Sequence, residues 1–196
     1  MSTNTPNILQ QRLLELPFDA YLRLLSMLLR QLGYRDILLA GRTDWKGRNK
    51  GGGYDLTATL SGGLYPHKVV IQAKQFDSGS RVFQRQADEL RGAAIRVGAA
   101  EALLITSGPL SGSIDLEGLS FPLAPVRLID GDQLLELLIQ HRIGITATGQ
   151  LDKALFTRLE QAAIGNRQSD CLGSNSELVL TVAVKRIPKR VVLARL

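Results

Sequence analysis

The apolar positions of the chain keep two rhythms, one of three to four residues and one of two. From Pro17 the first rhythm dominates: Phe18, Leu22, Leu25, Leu29 and Leu32 line one face of a helix, Pro17 suits its first position and Gly33 supplies a stop. Ahead of it, residues 1–7 are a polar start and residues 8–15 a short helix. Residues 34–40 read as a strand and residues 41–53 as a loop. The period then shortens to two. Residues 55–60 and 68–74 are rich in β-branched and aliphatic side chains, with SGGLYP between them as turn chemistry, so this stretch is a β-hairpin. Helical spacing returns over residues 82–97, with Leu90, Ala94 and Val97 on one stripe, followed by a buried strand at 102–106. A loose segment, 108–125, leads to a short strand at 126–129 and a helix at 132–141 ending near Gly144. Beyond it, residues 150–164 carry Leu151, Leu155, Leu159 and Ala162 at helical spacing, with Gly165 as the stop. Residues 166–176 are a polar connection, and ELVLTVAV, KRIPKR and VVLARL form two strands around a bend at Pro188.

The order α-β-β-β-α-β-α-β-α implies an α/β fold in which a mixed sheet is flanked by helices. Strands joined through helices are parallel with right-handed crossovers. At 196 residues the chain is long enough for a full core, one domain of residues 1–145 and an extension of residues 146–196 made of a helix, a polar linker and a basic β arm. A hydrophobic content of 44% and a charged content of 21% are those of a globular chain. One cysteine, Cys171, and two histidines, His67 and His141, leave no disulfide framework and no zinc constellation, and point to a cytoplasmic setting. No apolar run approaches the roughly 20 residues that cross a bilayer, and MSTNTPNILQ has neither region of a signal peptide.

The formal charge of +6 favours a polyanionic partner, although charge alone names neither nucleic acid nor a membrane surface. Two clusters concentrate it: Arg42, Lys46, Arg48 and Lys50 in the first loop, where Asp44 is the one acid, and Lys185, Arg186, Lys189 and Arg190 near the C-terminus. Both are candidate phosphate contacts, which position DNA without reading its sequence, or else solvated charged segments. Trp45 offers the first loop an aromatic surface, and Gly51, Gly52 and Gly53 allow close backbone approach.

Alternation along the hairpin puts Asp55, Thr57 and Thr59 on one face and pairs Gln72 with Lys74, while Val69, Ile71 and Ala73 turn into a core. A carboxylate, an amide and an ammonium thus meet on one side of neighbouring strands, a set suited to a metal and a phosphate. Asp55, Gln72 and Lys74 resemble the Asp, hairpin, Gln-x-Lys arrangement of the Mrr-like restriction endonucleases, a branch of the PD-(D/E)XK nucleases in which Gln replaces the second acid. The helix PFDAYLRLLSMLLRQLGY, the GGYD approach to the first catalytic strand, ELRGA, LLITSG and VRLIDGDQLLELL resemble that family in order and spacing, over roughly residues 17–145.

The resemblance implies a PD-(D/E)XK nuclease-like mixed sheet and a Mg²⁺-dependent DNA endonuclease, with Mn²⁺ as a substitute ion, acting in restriction or defence against foreign or modified DNA. Asp55 and Gln72 are then metal ligands, and Lys74 stabilises developing negative charge. Gln72 brings no charge, and its reading as a ligand stands beside that of an ordinary strand-edge glutamine. Asp19, after the aromatic Phe18, is an accessory acid by the resemblance, although an acid in a helix's first turn is favoured by the helix dipole in any case. His67 is expected to cap the turn or face solvent, and His141 to close a helix. Cutting both strands calls for two sites, hence a homo-oligomer. No separate recognition domain precedes the catalytic helix, so recognition falls to the tail, a second copy or another protein. Two alternatives stay open: a nuclease-like module that grips DNA without cutting, and a subunit docking a protein partner through its C-terminal strands.

Overall fold

The computed structural model describes residues 5–40, 52–61, 65–76 and 80–170. In chain order the elements are α1 (Thr5–Glu15), α2 (Phe18–Gln31), β1 (Tyr34–Leu39), β2 (Leu56–Leu60), β3 (His67–Lys74), α3 (Gln84–Arg96), β4 (Glu101–Thr106), α4 (Leu116–Leu119), β5 (Val126–Ile129), α5 (Gly131–Gln140) and α6 (Lys153–Asp170). The sheet has the order β1-β2-β3-β4-β5; β1, β2 and β3 are antiparallel neighbours, and β3, β4 and β5 are parallel. The mixed sheet and its flanking helices are those expected from the sequence. The basic loop with Arg42, Lys46, Arg48 and Lys50, and the arm with Lys185, Arg186, Lys189 and Arg190, lie outside the described residues.

Alternation decides which side of the sheet each strand residue serves. Val69, Ile71 and Ala73 of β3 join Leu103 and Ile105 of β4 on the face covered by α1, α2, α5 and α6. Val70 of β3 joins Ala102 and Leu104 on the other face, under Ala87, Leu90 and Ala94 of α3. Both faces are therefore dry, which is why β4 is buried along its whole length and reads as a continuous apolar run.

Four of the departures from the sequence expectation have a local reason. Helix α1 begins at Thr5, ahead of residue 8, where the Thr5 hydroxyl donates to the Gly149 carbonyl at 2.9 Å and Leu9 and Leu13 enter the core. The segment expected to be loose contains the single turn α4, whose first turn is capped by the Asp115 carboxylate accepting from Gly118 N–H at 2.9 Å. Helix α6 starts at Lys153 and runs through Gly165 to Asp170, because an interior glycine weakens a helix by only about 1 kcal/mol and no proline follows to stop it. His67 neither caps the turn nor merely faces solvent: it opens β3, paired with Leu60, with Nε2 3.7 Å from Glu101 Oε2.

That contact belongs to a polar row across one end of the sheet. Glu101 is buried at the start of β4, with Arg127 Nε 2.8 Å from its Oε1; the N–H does not point at the oxygen, so the contact is ionic rather than a directed hydrogen bond. Tyr34 stands in the same field. Its phenol is pushed up by burial first and by the Glu101 charge second, with Arg127 opposing. The far edge of the sheet is β1, where a register shift between Arg35 and Leu38 accompanies Asp36 at a positive φ of 49° and breaks the ladder.

Two outcomes are expected from these buried polar groups. Tyr21 is fully buried, its hydroxyl has no hydrogen-bond partner among the described residues, and burial pushes its ionisation above the ordinary 10.0. Below that pH both folded and unfolded forms are neutral; above it the unfolded chain loses its proton first, so stability falls as pH rises past about 10. Tyr21→Phe is expected to hold or raise stability at pH 7, by up to about 1 kcal/mol, and to soften the alkaline loss, read by thermal unfolding against pH. Arg127→Ala leaves the Glu101 carboxylate buried with weaker compensation and is expected to cost about 1–3 kcal/mol at pH 7 by urea unfolding.

Candidate active site

Chain direction fixes which elements meet at each end of the sheet. Strands β1, β3, β4 and β5 finish at the end where β2 starts, and α2, α3 and α5 have their first turns there. This end carries Asp55, Gln72 and Lys74, opposite to the end that holds Glu101.

Asp55 sits one residue ahead of β2 and is pinned through three groups. Its carbonyl accepts from Ala40 N–H at 2.8 Å, its own N–H donates to Ile71 O at 2.8 Å, and its Oδ2 accepts from Ala73 N–H at 2.9 Å. The main chain and side chain of Asp55 thus straddle Gln72. Extending the β2–β3 register by one residue from Leu56 and Ile71 sets Asp55 directly across from Gln72. Because β2 starts opposite Ile71, Gln72, Ala73 and Lys74 have strand partners in β4, at Leu104, Ile105 and Thr106, and among the described residues none on the β2 side. The sheet has a notch there, and the Asp55 carboxylate takes the place of the missing ladder acceptor.

Gln72 and Lys74 are both half-buried on the face of Val70, the alternation expected from the sequence. Gln72 Oε1 is buried and, among the described residues, has no hydrogen-bond partner. A buried carbonyl oxygen left unpaired costs about 1–3 kcal/mol, and a hard cation satisfies such an oxygen. With the Asp55 carboxylate across from it, the donor set fits a divalent metal of the Mg²⁺ or Mn²⁺ kind. Among the described residues no group of three His, Cys, Asp or Glu side chains gathers, so the fit rests on one carboxylate and one amide oxygen.

Lys74 is held from behind. Its carbonyl accepts from Ser107 N–H at 3.0 Å, while the Ser107 hydroxyl accepts from Phe76 N–H at 2.8 Å and donates to Phe76 O at 3.1 Å. Gly131 packs on this junction so closely that a Cβ would stand 2.5 Å from Ser107 O. Gln75 reaches to the other side, where Nε2 donates to Leu13 O at 2.7 Å and Leu16 O at 2.8 Å. Asp19 lies half-buried in the first turn of α2, at the same end of the sheet. His141 closes α5, as expected.

Reading the residues for chemistry alone passes over Ser107, Gly131 and Gln75, since all three act through the backbone. The signals available were the TSG that ends β4, the DGD that opens α5, and a second glutamine directly after the lysine.

A family model described as Mrr_cat, restriction endonuclease, matches residues 14–138. Among solved structures, the DNA modification-dependent restriction endonuclease AspBHI aligns with a TM-score of 0.56 at 15% identity, over 86% of this chain and 41% of that one. The MspJI restriction endonuclease in complex with a 27-mer oligonucleotide aligns with a TM-score of 0.58 at 21% identity, over 82% of this chain and 36% of that one. The chain therefore spans about two-fifths of the length of each. The likeness at these identities is one of fold. No curated protein matches the sequence.

The pinning of Asp55 separates its structural from its chemical part. Asp55→Asn keeps an oxygen for Ala73 N–H and is expected to change stability by less than about 1 kcal/mol, whereas Asp55→Ala strands that N–H and costs about 1–3 kcal/mol. Urea unfolding distinguishes the two.

Proposed function

Because the chain belongs to the Mrr_cat restriction endonuclease family, we propose that it is a metal-dependent DNA endonuclease hydrolysing phosphodiester bonds at the notch between Asp55 and Lys74. The observation that carries this is the fixed juxtaposition of Asp55 with Gln72 and Lys74 at the end of β2 and β3 where the sheet lacks a strand partner. Asp55 and the Gln72 amide oxygen would hold the cation. When bound, a divalent cation supplies Lewis-acid polarisation of the phosphate and a nucleophilic water at neutral pH.

The chain's own groups do the rest. Asp55 is oriented by Ala73 N–H, so its carboxylate needs no reorganisation during the reaction. Lys74 places an ammonium on the same face, where it stabilises charge developing on the phosphoryl oxygens. Asp19 adds negative potential from the start of α2 as an accessory acid. The clusters Arg42, Lys46, Arg48 and Lys50, and Lys185, Arg186, Lys189 and Arg190, fit phosphate contacts along the flanking duplex.

Modified DNA in a restriction setting is the substrate class that the description of AspBHI supports, and DNA is the partner supported by the oligonucleotide complex of MspJI. Cleavage of both strands calls for two copies of the site, so the working unit is a homo-oligomer, with residues beyond the catalytic core or a protein partner supplying recognition. A second reading, a module that grips DNA without cutting, is favoured by one observation: the second ligand, Gln72, is uncharged and weakens cation affinity.

A plasmid-cleavage assay tests the proposal. Nicked or linear product is expected with Mg²⁺ or Mn²⁺, none with EDTA, and a fall of at least about a hundredfold in Asp55→Ala and Lys74→Ala. DNA binding that survives Asp55→Ala, with no cleavage by the wild type in either Mg²⁺ or Mn²⁺, moves the assignment to the non-cleaving module. Gln72→Glu, which adds a charge to the donor set, is expected to lower the Mg²⁺ concentration for half-maximal cleavage by about tenfold.

A further inference from the structure

Gln75 follows Lys74 by one position, so strand alternation turns it to the opposite side of the sheet, toward α1 and α2. Its amide nitrogen meets Leu13 O at 2.7 Å, Leu16 O at 2.8 Å and Leu14 O at 3.4 Å. With two protons on that nitrogen, the two short contacts are its hydrogen bonds and the third is a weaker attraction. A helix ends with carbonyls that have no intrahelical donor, and Leu13 and Leu14 are such positions in α1. Leu16 is different. It lies in the junction after α1, directly before Pro17, whose carbonyl accepts from Tyr21 N–H at 3.0 Å and so opens α2.

The partners of one amide therefore belong to two parts of the chain, the end of α1 and the start of α2. A plain helix cap would satisfy α1 alone, and water would serve as well at an exposed end. What the Gln75 amide fixes is the junction, and with it the first turn of α2 that carries Asp19. The strand end that bears Gln75 is itself fixed, because Ser107 holds Lys74 O and both backbone groups of Phe76. A single peptide bond separates Lys74 from this clamp.

We propose that Gln75 is a positioning residue of the nuclease site, setting the first turn of α2 and its Asp19 carboxylate in register with Lys74 and Asp55. This inference rests on the endonuclease reading above. A glutamine suits the task because only a neutral amide donates two protons at that length while adding no charge beside the cation. Glutamate at the same place would turn a carboxylate toward three carbonyl oxygens.

The test uses the full chain with Gln75→Met, which keeps the length and volume of the side chain and removes both donors, alongside Asp19→Asn, the double variant and Leu9→Val. Leu9 is buried in α1 away from the clamp, so Leu9→Val loosens the same helix without touching the amide. Mn²⁺ affinity is measured by calorimetry without DNA, kcat and KM by plasmid cleavage, and stability by thermal unfolding. Gln75→Met is expected to weaken Mn²⁺ binding by about tenfold and lower kcat by about ten- to a hundredfold, with KM for DNA within about twofold of wild type. The double variant is expected to be no worse than Asp19→Asn alone, since both changes act on one carboxylate. Leu9→Val is expected to lower Tm and leave Mn²⁺ affinity in place. A Gln75→Met protein with a lowered Tm but wild-type affinity and kcat overturns the inference, as does a double variant whose losses multiply. A wild type that cuts in neither Mg²⁺ nor Mn²⁺ removes the endonuclease reading and this inference together; a wild type that cuts beside an unaffected Gln75→Met removes this inference alone.

Discussion

Strand β3 pairs antiparallel with β2 over His67–Ile71 and parallel with β4 over Val69–Lys74, so its last three residues keep one neighbour and lose the other. That change of partner makes the notch and gives it its chemistry. A strand with both ladders complete has no backbone group to spare, and one with neither would not hold a side chain still. Here the β4 ladder supplies rigidity, and the first N–H left over on the open side is taken by a carboxylate. Asp55, one residue ahead of β2, keeps backbone bonds to Ala40 and Ile71, and its side chain continues toward Ala73 where the β2 ladder has stopped.

The two dry faces of the sheet hold this arrangement from above and below. On one face β3 presents Val69, Ile71 and Ala73 to the helices α1, α2, α5 and α6; on the other it presents Val70 to α3 and then, one turn of the alternation later, Gln72 and Lys74. On that face Val70 is buried, while Gln72 and Lys74 are half-buried. Burial grades from complete to half along a single strand, so the amide and the ammonium sit partly desolvated without being sealed away from a polyanion.

Most of the fold was legible in the sequence because it rests on period. The helical stripe from Phe18, the alternation from Leu56 to Lys74 and the apolar run of β4 each name their element and their buried side. The juxtaposition of Asp55 with Gln72 and Lys74 was legible for the same reason, as hairpin phase determines it. What periodicity does not carry is where the backbone is bonded by a side chain from afar. The early start of α1 depends on a threonine reaching residue 149, the role of Gln75 on carbonyls some sixty positions back, and the placing of His67 on a glutamate beyond α3, at the start of β4. Gly165 fails as a stop because a glycine ends a helix only when the chain beyond has something better to do.

The polar row of Tyr34, His67, Glu101 and Arg127 lies at the opposite end of the same five strands from the notch. Strands β1, β3, β4 and β5 place the row at or near their starts, and Asp55, Gln72 and Lys74 are separated from it by the length of the sheet. A substitution that tunes stability at the polar row therefore lies a sheet's length from the notch, and one at the notch leaves the row in place. The sheet is short enough to keep the two in one rigid body and long enough to let them evolve as separate traits.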